Sequence, residues 1–183
     1  MALRIKSRWH GESEKSLEEV GGALAFIAWR IAVDKAITLH GEDFVYRDDA
    51  QRMAVITEYL IFAIQVADRL AHEHLDQEDR RRLIVAFAKQ VANHVQDNGQ
   101  DLFGGGDYRA NFFDRLNGRS AEYAEFKLVD GEPSYPFLRH LGYEIQTLMG
   151  ADQQNRWVID QVMDRDAPEV AHQIRKALSD LLS

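Results

Sequence analysis

The sequence contains no cysteine. It therefore has no disulfide framework, no thiol nucleophile and no thiolate metal site, which excludes disulfide-stapled folds and all cysteine-based catalytic or metal centres. A chain without cysteine is compatible with a reducing compartment, and we expect the protein to be cytoplasmic.

An excess of positive charge is also absent. The chain carries 22 lysine and arginine residues against 30 aspartate and glutamate residues, which gives a net charge of −8. The basic residues are scattered, and no predicted helix gathers arginine, lysine, asparagine and glutamine on one side. This balance favours solubility and argues against nucleic acid and anionic membranes as partners.

Long apolar runs are missing as well. The longest covers Met53 to Ala67, about 15 residues. It is interrupted by Thr57, Glu58 and Gln65, so it is too short and too polar to cross a bilayer. Residues 1–14 lack the apolar core and the cleavage site of a secretory signal. We therefore expect a soluble protein without a membrane partner.

The motifs of common hydrolases, proteases and nucleotide-binding proteins do not occur. There is no G-x-S-x-G and no H-E-x-x-H, and the spacing of His72 and His74 places their imidazoles on different sides of a helix. The three consecutive glycines at 104–106 lack the lysine and the hydroxyl residue of a phosphate-binding loop. The sequence predicts no cofactor and leaves open whether the protein is an enzyme.

The stretch from Asp49 to His74 is the most informative part of what the sequence does contain. Its apolar residues follow helical spacing on two neighbouring faces, with Met53, Ile56, Leu60, Ala63, Ala67 and Leu70 on one and Val55, Tyr59, Phe62 and Val66 on the other. A helix that is apolar over most of its circumference is buried by neighbours on several sides. We predict that this segment is the central helix of an all-α domain.

Helical periodicity continues through the rest of the chain, whose 183 residues suit one domain. We predict an N-terminal arm at residues 1–15 and, over residues 16–183, a single globular bundle of about six to seven helices. Asp166 is the predicted N-cap of the last helix, with Glu169 at the capping-box position. The other helices are predicted at 16–41, 76–99, 136–150 and 153–163.

The segment between Gly99 and Pro136 is rich in glycine and turn residues. We expect an irregular insertion here, with two short helices at Tyr108–Leu116 and Ser120–Leu128. Alternatively, an Asp-Gly turn places a small hairpin at residues 126–135. Because long irregular segments in compact domains are often functional, this is where we expect a lid or a partner surface.

Two features of the first helix suggest how it packs. Gly21 and Gly22 lie inside it, where each costs roughly 1 kcal/mol relative to alanine, and the close approach of another helix would offset that cost. Arg30 and Asp34 are one helical turn apart, which predicts a surface ion pair.

Glu58 lies in the middle of the most apolar segment of the chain. A buried carboxylate without a partner is very costly, so we expect it to be paired, protonated or on a polar seam. The predicted partner is Arg30, Arg52 or a histidine. A structural ion pair is the favoured interpretation, and a catalytic acid in a cleft is the alternative.

Asp68 and His72 are further candidates for a catalytic or metal site. They stand at i and i+4 on the central helix, and a carboxylate beside an imidazole can orient the ring or raise its pKa. A divalent metal bound by this pair would need a third ligand, which His94 or His140 would supply. The competing interpretation is that these residues form the solvated polar end of the helix.

Two functions are therefore compatible with the sequence. The favoured one is a cytoplasmic protein-protein interaction module that acts as a homo-oligomer, because aromatic residues are available for an exposed patch at Trp9, Phe103, Tyr108, Phe112, Phe113 and Trp157. The alternative is a helical metal-binding protein or enzyme that uses Glu58, Asp68 and His72.

Overall fold

The computed structural model describes residues 15–183. Within them the chain forms six helices of fifteen residues or more, one four-residue helix and a two-stranded hairpin, which confirms the predicted all-α bundle. The N-terminal arm, with Trp9, lies outside the described residues apart from Lys15. No helix within 15–183 combines the length and the apolarity needed to cross a membrane.

The elements follow one another with short connections. The helices are α1 Leu17–Gly41, α2 Asp49–His74, α3 Gln77–Phe103, α4 Tyr108–Tyr123, α5 Tyr135–Met149, α6 Val158–Gln161 and α7 Ala167–Leu182. The strands are β1 Leu128–Val129 and β2 Glu132–Pro133, and a π-helical turn at Val162–Asp166 joins α6 to α7.

The central position predicted for α2 is confirmed. Every residue from 55 to 67 is buried, and α2 packs against α1, α3, α4, α5 and α7. Such a helix can bury apolar side chains on all sides, which explains why its apolar residues are not confined to one stripe. It also means that any charged side chain in this stretch must find its partner inside the bundle.

The insertion between Gly99 and Pro136 is more helical than we predicted. α3 continues through Gly99 to Phe103, and α4 is a single helix where two were expected. A Cβ atom at Gly99 would lie 2.5 Å from the ring of Tyr108, so this glycine admits an aromatic ring from α4. The residue that we interpreted as a helix terminator is therefore a packing glycine.

The hairpin alternative is confirmed in the second half of this segment. Residues 128–129 pair antiparallel with 132–133, so the predicted helix at Ser120–Leu128 is wrong beyond Tyr123. Asp130 and Gly131 form the two-residue turn with φ values of 53° and 80°. This left-handed backbone is what a type I′ turn requires, and it explains the Asp-Gly pair.

The predicted N-cap at Asp166 is wrong. The helix is continuous through this residue, whose backbone is α-helical and whose side chain makes no cap bond. Instead the carboxylate is buried and accepts hydrogen bonds from Tyr59 (3.0 Å) and Gln161 (3.2 Å). Glu169, the predicted capping-box residue, accepts a hydrogen bond of 2.5 Å from Lys35 on α1. Both carboxylates therefore tie the last helix to the core.

Gly21→Ala tests the close approach of α1 and α3, with Gly22→Ala as the matched control. A Cβ at Gly21 would lie 2.8 Å from Ala86 Cβ and 2.9 Å from Phe87 N, whereas one at Gly22 meets nothing within 4 Å. We expect Gly21→Ala to lower the free energy of unfolding by about 1–3 kcal/mol through overpacking. Gly22→Ala should raise it by about 0.5–1 kcal/mol. Urea unfolding measures both, and equal shifts would contradict the close packing.

Asp166→Asn tests the buried carboxylate at the π-helical turn. Burial raises the pKa of Asp166 above its usual 3.8. As the pH rises through 3.8 the unfolded chain loses this proton first, so the group destabilises the fold progressively up to its raised folded pKa. We expect Asp166→Asn to gain stability relative to the parent protein over this pH range and to keep a constant gain above it. Exposed Asp180→Asn is the control, and parallel pH profiles for both variants would argue against the assignment.

Candidate functional site

A groove of about 800 Å³ lies between α2, α3, α4 and the hairpin. We call it the α2–α4 groove. Its walls are mainly apolar, with Ile64, Ile84, Val85, Ala88, Phe113, Leu116, Phe126 and Leu128 among the lining residues. The volume is in the range of ligand sites in proteins, and the groove is open to solvent rather than enclosed.

Two of the predicted site residues, Asp68 and His72, line this groove. Arg80 on α3 binds the Asp68 carboxylate through Nε at 2.8 Å and Nη2 at 2.6 Å. Nη1 of the same guanidinium lies 3.4 Å from Nδ1 of His72. The structure thus places Asp68 and His72 side by side, and the cation that contacts both of them is the guanidinium of Arg80.

Positive charge predominates in the α2–α4 groove. Four cationic side chains line it but only two carboxylates, the six being Arg69, Arg80, Lys89, Lys127, Asp68 and Glu73. Arg69 is held by the carbonyl oxygens of Tyr123 (2.6 Å) and Phe126 (2.8 Å). Lys89 and Lys127 are exposed and form no ion pair within residues 15–183. The groove is therefore apolar and cationic in a protein whose net charge is −8.

Glu58 lies nearer the N-terminal end of α2, outside the residues that line the groove, and its carboxylate is fully buried. Arg119 on α4 binds it through Nε at 3.0 Å and Nη2 at 3.1 Å, and Arg115 Nη1 lies 3.7 Å away. The predicted partners are wrong, because Arg52 pairs with Asp49 and the Arg30 guanidinium lies over the ring of Phe26. The expected ion pair exists, but its arginine comes from α4.

Arg119 also joins Glu58 to a second group of acidic residues. Its Nη1 donates to Glu122 at 2.8 Å, and its Nη2 donates to Glu144 on α5. His140 Nε2 lies 2.9 Å from Glu122 Oε2 and 4.0 Å from Glu144 Oε1. We call Glu58, Arg119, Glu122, His140 and Glu144 the Glu58 cluster, and it connects α2, α4 and α5.

The environments of the Glu58 cluster shift the pKa values of its members in opposite directions. Burial, which outweighs the effect of Arg119, raises the pKa of Glu144, and the Glu58 charge adds to the rise. Burial acts on Glu122 too, but hydrogen bonds from Arg119 and His140 outweigh it and lower its pKa. Arg119 thus compensates the charge of Glu122 more fully than that of Glu144.

Tyr123 lies beside the Glu58 cluster and is fully buried. Its ring meets His140 edge-on with centroids 4.7 Å apart, and its hydroxyl has no hydrogen-bond partner within residues 15–183. Burial and then the charge of Glu58 raise the pKa of this hydroxyl well above its ordinary value. It is therefore a neutral donor without an acceptor.

The remaining metal candidate, His94, lies apart from Asp68 and His72. Its ring packs against Trp29 of α1 with centroids 5.8 Å apart, and it does not line the α2–α4 groove. The structure therefore does not bring the predicted trio together. His140, the other predicted third ligand, belongs to the Glu58 cluster.

Exposed aromatic side chains occur at only some of the predicted positions. Phe103 and Trp157 are exposed, with 42% and 57% of their surface accessible. Phe112 is buried in the core, so its assignment to a surface patch is wrong. Tyr108 and Phe113 are half-buried, and Phe113 contributes to the α2–α4 groove.

Arg119, Glu122 and Glu144 were not predicted as site residues from the sequence. Arg119 and Glu122 are one turn apart on α4, as are His140 and Glu144 on α5, so two helical pairs were available as signals. The first pair was obscured because we predicted a break in the helix near residue 117. The contact between the pairs could not be foreseen, because it depends on how α4 and α5 pack.

Comparison with protein-family models, with curated proteins and with solved structures finds no match to this chain. A functional assignment must therefore come from the geometry of its own side chains.

Arg119→Ala tests whether the Glu58 cluster holds the bundle together. The substitution leaves the fully buried Glu58 carboxylate without its principal partner. Breaking a buried ion pair in this way costs about 3–5 kcal/mol, which we expect as a loss in the free energy of unfolding. The control, Arg81→Ala, removes an exposed pair with Glu78 and should change little. Similar losses for the two variants in urea unfolding would show that the cluster is not structurally special.

Proposed function

We propose that this protein is a cytoplasmic interaction module that binds an acidic, apolar segment of a partner protein in the α2–α4 groove. The observation that supports this proposal is the combination of apolar walls and excess positive charge in one groove of an acidic protein. Recognition sites for amphipathic segments combine apolar contacts with complementary charge in this way.

The shape of the groove favours a helix as the bound segment. On α3 the lining residues Ile84, Val85 and Ala88 are at helical spacing, and Val85 is 41% exposed. On α4 the lining residues Phe113, Leu116 and Ser120 are spaced in the same way. Two helical walls with α2 as the floor present ridges between which a further helix packs.

Charge complementarity supports an acidic partner. Lys89 stands on the α3 wall and Lys127 at the hairpin end, and neither has an ion-pair partner within the described part of the chain. Carboxylates on the bound segment would pair with both. Arg80 is already held by Asp68 and serves instead to keep the floor of the groove neutral.

The alternative, a metal-binding protein or enzyme built on Glu58, Asp68 and His72, receives less support from the geometry. Glu58 and Asp68 each accept two or more hydrogen bonds from an arginine. A carboxylate held in this way is already neutralised, so it has little tendency to bind a further cation.

Anilinonaphthalene sulfonate, an anionic apolar dye, tests the groove directly. We expect its fluorescence to rise on binding the parent protein, and Val85→Glu and Lys89→Glu to weaken that binding several-fold because they remove apolar contact and reverse a charge. Lys176→Glu on α7 changes the net charge by the same amount as Lys89→Glu, at an exposed position outside the groove, and is the control. Equal dye binding by all three variants would exclude the groove as the site.

A photo-crosslinking residue introduced at Val85 tests for a protein partner in the native cell. We expect a discrete adduct of an acidic protein from this position. The same probe at Tyr143, which is 55% exposed on α5, is the control. Identical adducts from both positions, or none from Val85, would contradict a protein-binding groove.

We further propose that the protein self-associates through α1. Phe26, Arg30 and Ile37 lie on one exposed stripe of this helix together with the half-buried Val33, and Phe26 is 55% and Ile37 64% exposed. The ion pair predicted between Arg30 and Asp34 does not form within residues 15–183. An antiparallel pairing of two copies of α1 that places Phe26 opposite Ile37 brings Arg30 within one residue of the position opposite Asp34, so the stripe is self-complementary.

Charge reversal on α1 tests this contact. Arg30→Asp alone and Asp34→Arg alone place like charges opposite each other in the pair, so we expect each to shift the protein toward the monomer in light scattering. The double variant restores opposite charges across the two-fold axis and should recover the dimer. Val129→Glu, at an apolar position 61% exposed on the hairpin, is the control. Unchanged mass in both single variants would reject the α1 interface.

A further inference from the structure

Glu122, His140 and Glu144 bring one imidazole and two carboxylates within reach of a single ion. Their ligand atoms all lie within 4.8 Å of one another, and no other such group occurs among residues 15–183. His140 and Glu144 are one turn apart on α5 and project from the same face, while Glu122 approaches from α4. Small side-chain rotations would bring the three atoms to one point.

Arg119 lies among these carboxylates but has a partner of its own. Its bonds to the buried Glu58, at 3.0 and 3.1 Å, do not involve Glu122 or Glu144. A cation that takes Glu122 and Glu144 therefore leaves Arg119 paired. Three carboxylates meet two arginines here, Arg119 and, at 3.7 Å from Glu58, Arg115. The excess of negative charge makes an additional cation electrostatically favourable.

The hydroxyl of Tyr123 is a second, independent observation that points to a ligand. It is buried and has no hydrogen-bond partner in the described part of the chain, although buried polar groups are nearly always bonded. The Tyr123 ring meets the ring of His140 edge-on with centroids 4.7 Å apart, so the tyrosine lies directly against a member of the cluster. A water bound to an ion at the cluster would supply the missing partner.

We propose that Glu122, His140 and Glu144 bind a divalent transition-metal ion. One imidazole nitrogen and two carboxylate oxygens suit Zn²⁺ and its first-row neighbours, whereas Mg²⁺ and Ca²⁺ prefer sites made of oxygen alone. Three protein ligands leave a fourth tetrahedral position for water. This site is distinct from the set of Asp68, His72 and His94 that the sequence suggested.

Calorimetric titration of the tag-free full-length protein with Zn²⁺ tests the proposal. We expect one ion per chain, with His140→Ala and Glu144→Gln each weakening the affinity at least about 100-fold, since the loss of an outer-shell group alone costs 10–100-fold. Glu144→Gln keeps the side-chain shape, so it separates ligation from folding. The control, His72→Ala, removes an exposed imidazole outside the site and should bind like the parent protein.

Co²⁺ provides a second measurement, because its visible absorption reports the ligand set. The expected spectrum is that of a nitrogen and oxygen site, lost in Glu144→Gln while circular dichroism stays unchanged. Absence of stoichiometric Zn²⁺ binding would overturn the proposal. So would binding that survives both His140→Ala and Glu144→Gln, or binding that disappears in His72→Ala.

Discussion

The carboxylate of Glu58 must be neutralised inside the bundle, and the arrangement of α4 and α5 follows from that requirement. It lies at the middle of α2, where every residue from 55 to 67 is buried. An unpaired charge at such a position would destabilise the folded state by more than it can tolerate, because the free energy of unfolding of a domain is only about 5–15 kcal/mol. Arg119 provides the counter-charge, so α4 must lie against α2 with this side chain inward. Glu144 extends the same interaction to α5.

The contacts of α3 explain why the bundle has an open groove. α3 lies directly against α1 at Gly21, where there is no room for a Cβ atom. It meets α4 beside their connection, where the ring of Tyr108 covers Gly99. The N-terminal half of α3 packs against α1. α4 is held against α2 by the ion pair of Arg119 with Glu58 and by the hydrogen bond from Gln65 to Ser120. The space between the two helices is the α2–α4 groove.

Rules that depend only on neighbouring residues in the sequence predicted the features that neighbouring residues determine. Apolar periodicity identified α2 as the central helix, and electrostatics required a partner for Glu58 without indicating which one. That partner is 61 residues away in sequence, so no spacing within a helix could reveal it. Gly99 and Asp166 were misinterpreted for the same reason. Each has the local signature of a helix end, but its role is set by a side chain from another helix, Tyr108 in one case and Tyr59 in the other.

The two charged regions differ in how completely their charges are balanced. At Asp68 one carboxylate meets one guanidinium in a bidentate pair, which leaves nothing for a ligand to neutralise. In the Glu58 cluster three carboxylates bind the same arginine, Arg119, and the buried hydroxyl of Tyr123 has no acceptor within the described residues. Imbalance of this kind is typical of sites that bind a cation or a proton, whereas balanced pairs are typical of structural contacts.

The α2–α4 groove and the Glu58 cluster both include residues of α4, which connects them physically. Phe113, Leu116 and Ser120 line the groove on one side of this helix. Arg115 and Glu122 lie on roughly the opposite side, and Arg119 lies between the two sides, as the advance of about 100° per residue requires. A displacement of α4 at the groove would therefore shift Arg119 relative to Glu58 and Glu144. The buried ion pair between Arg119 and Glu58 opposes this shift. α4 can therefore couple the groove to the Glu58 cluster only if Arg119 has a second stable set of partners. The structure contains one set, in which Arg119 binds Glu58, Glu122 and Glu144 at once.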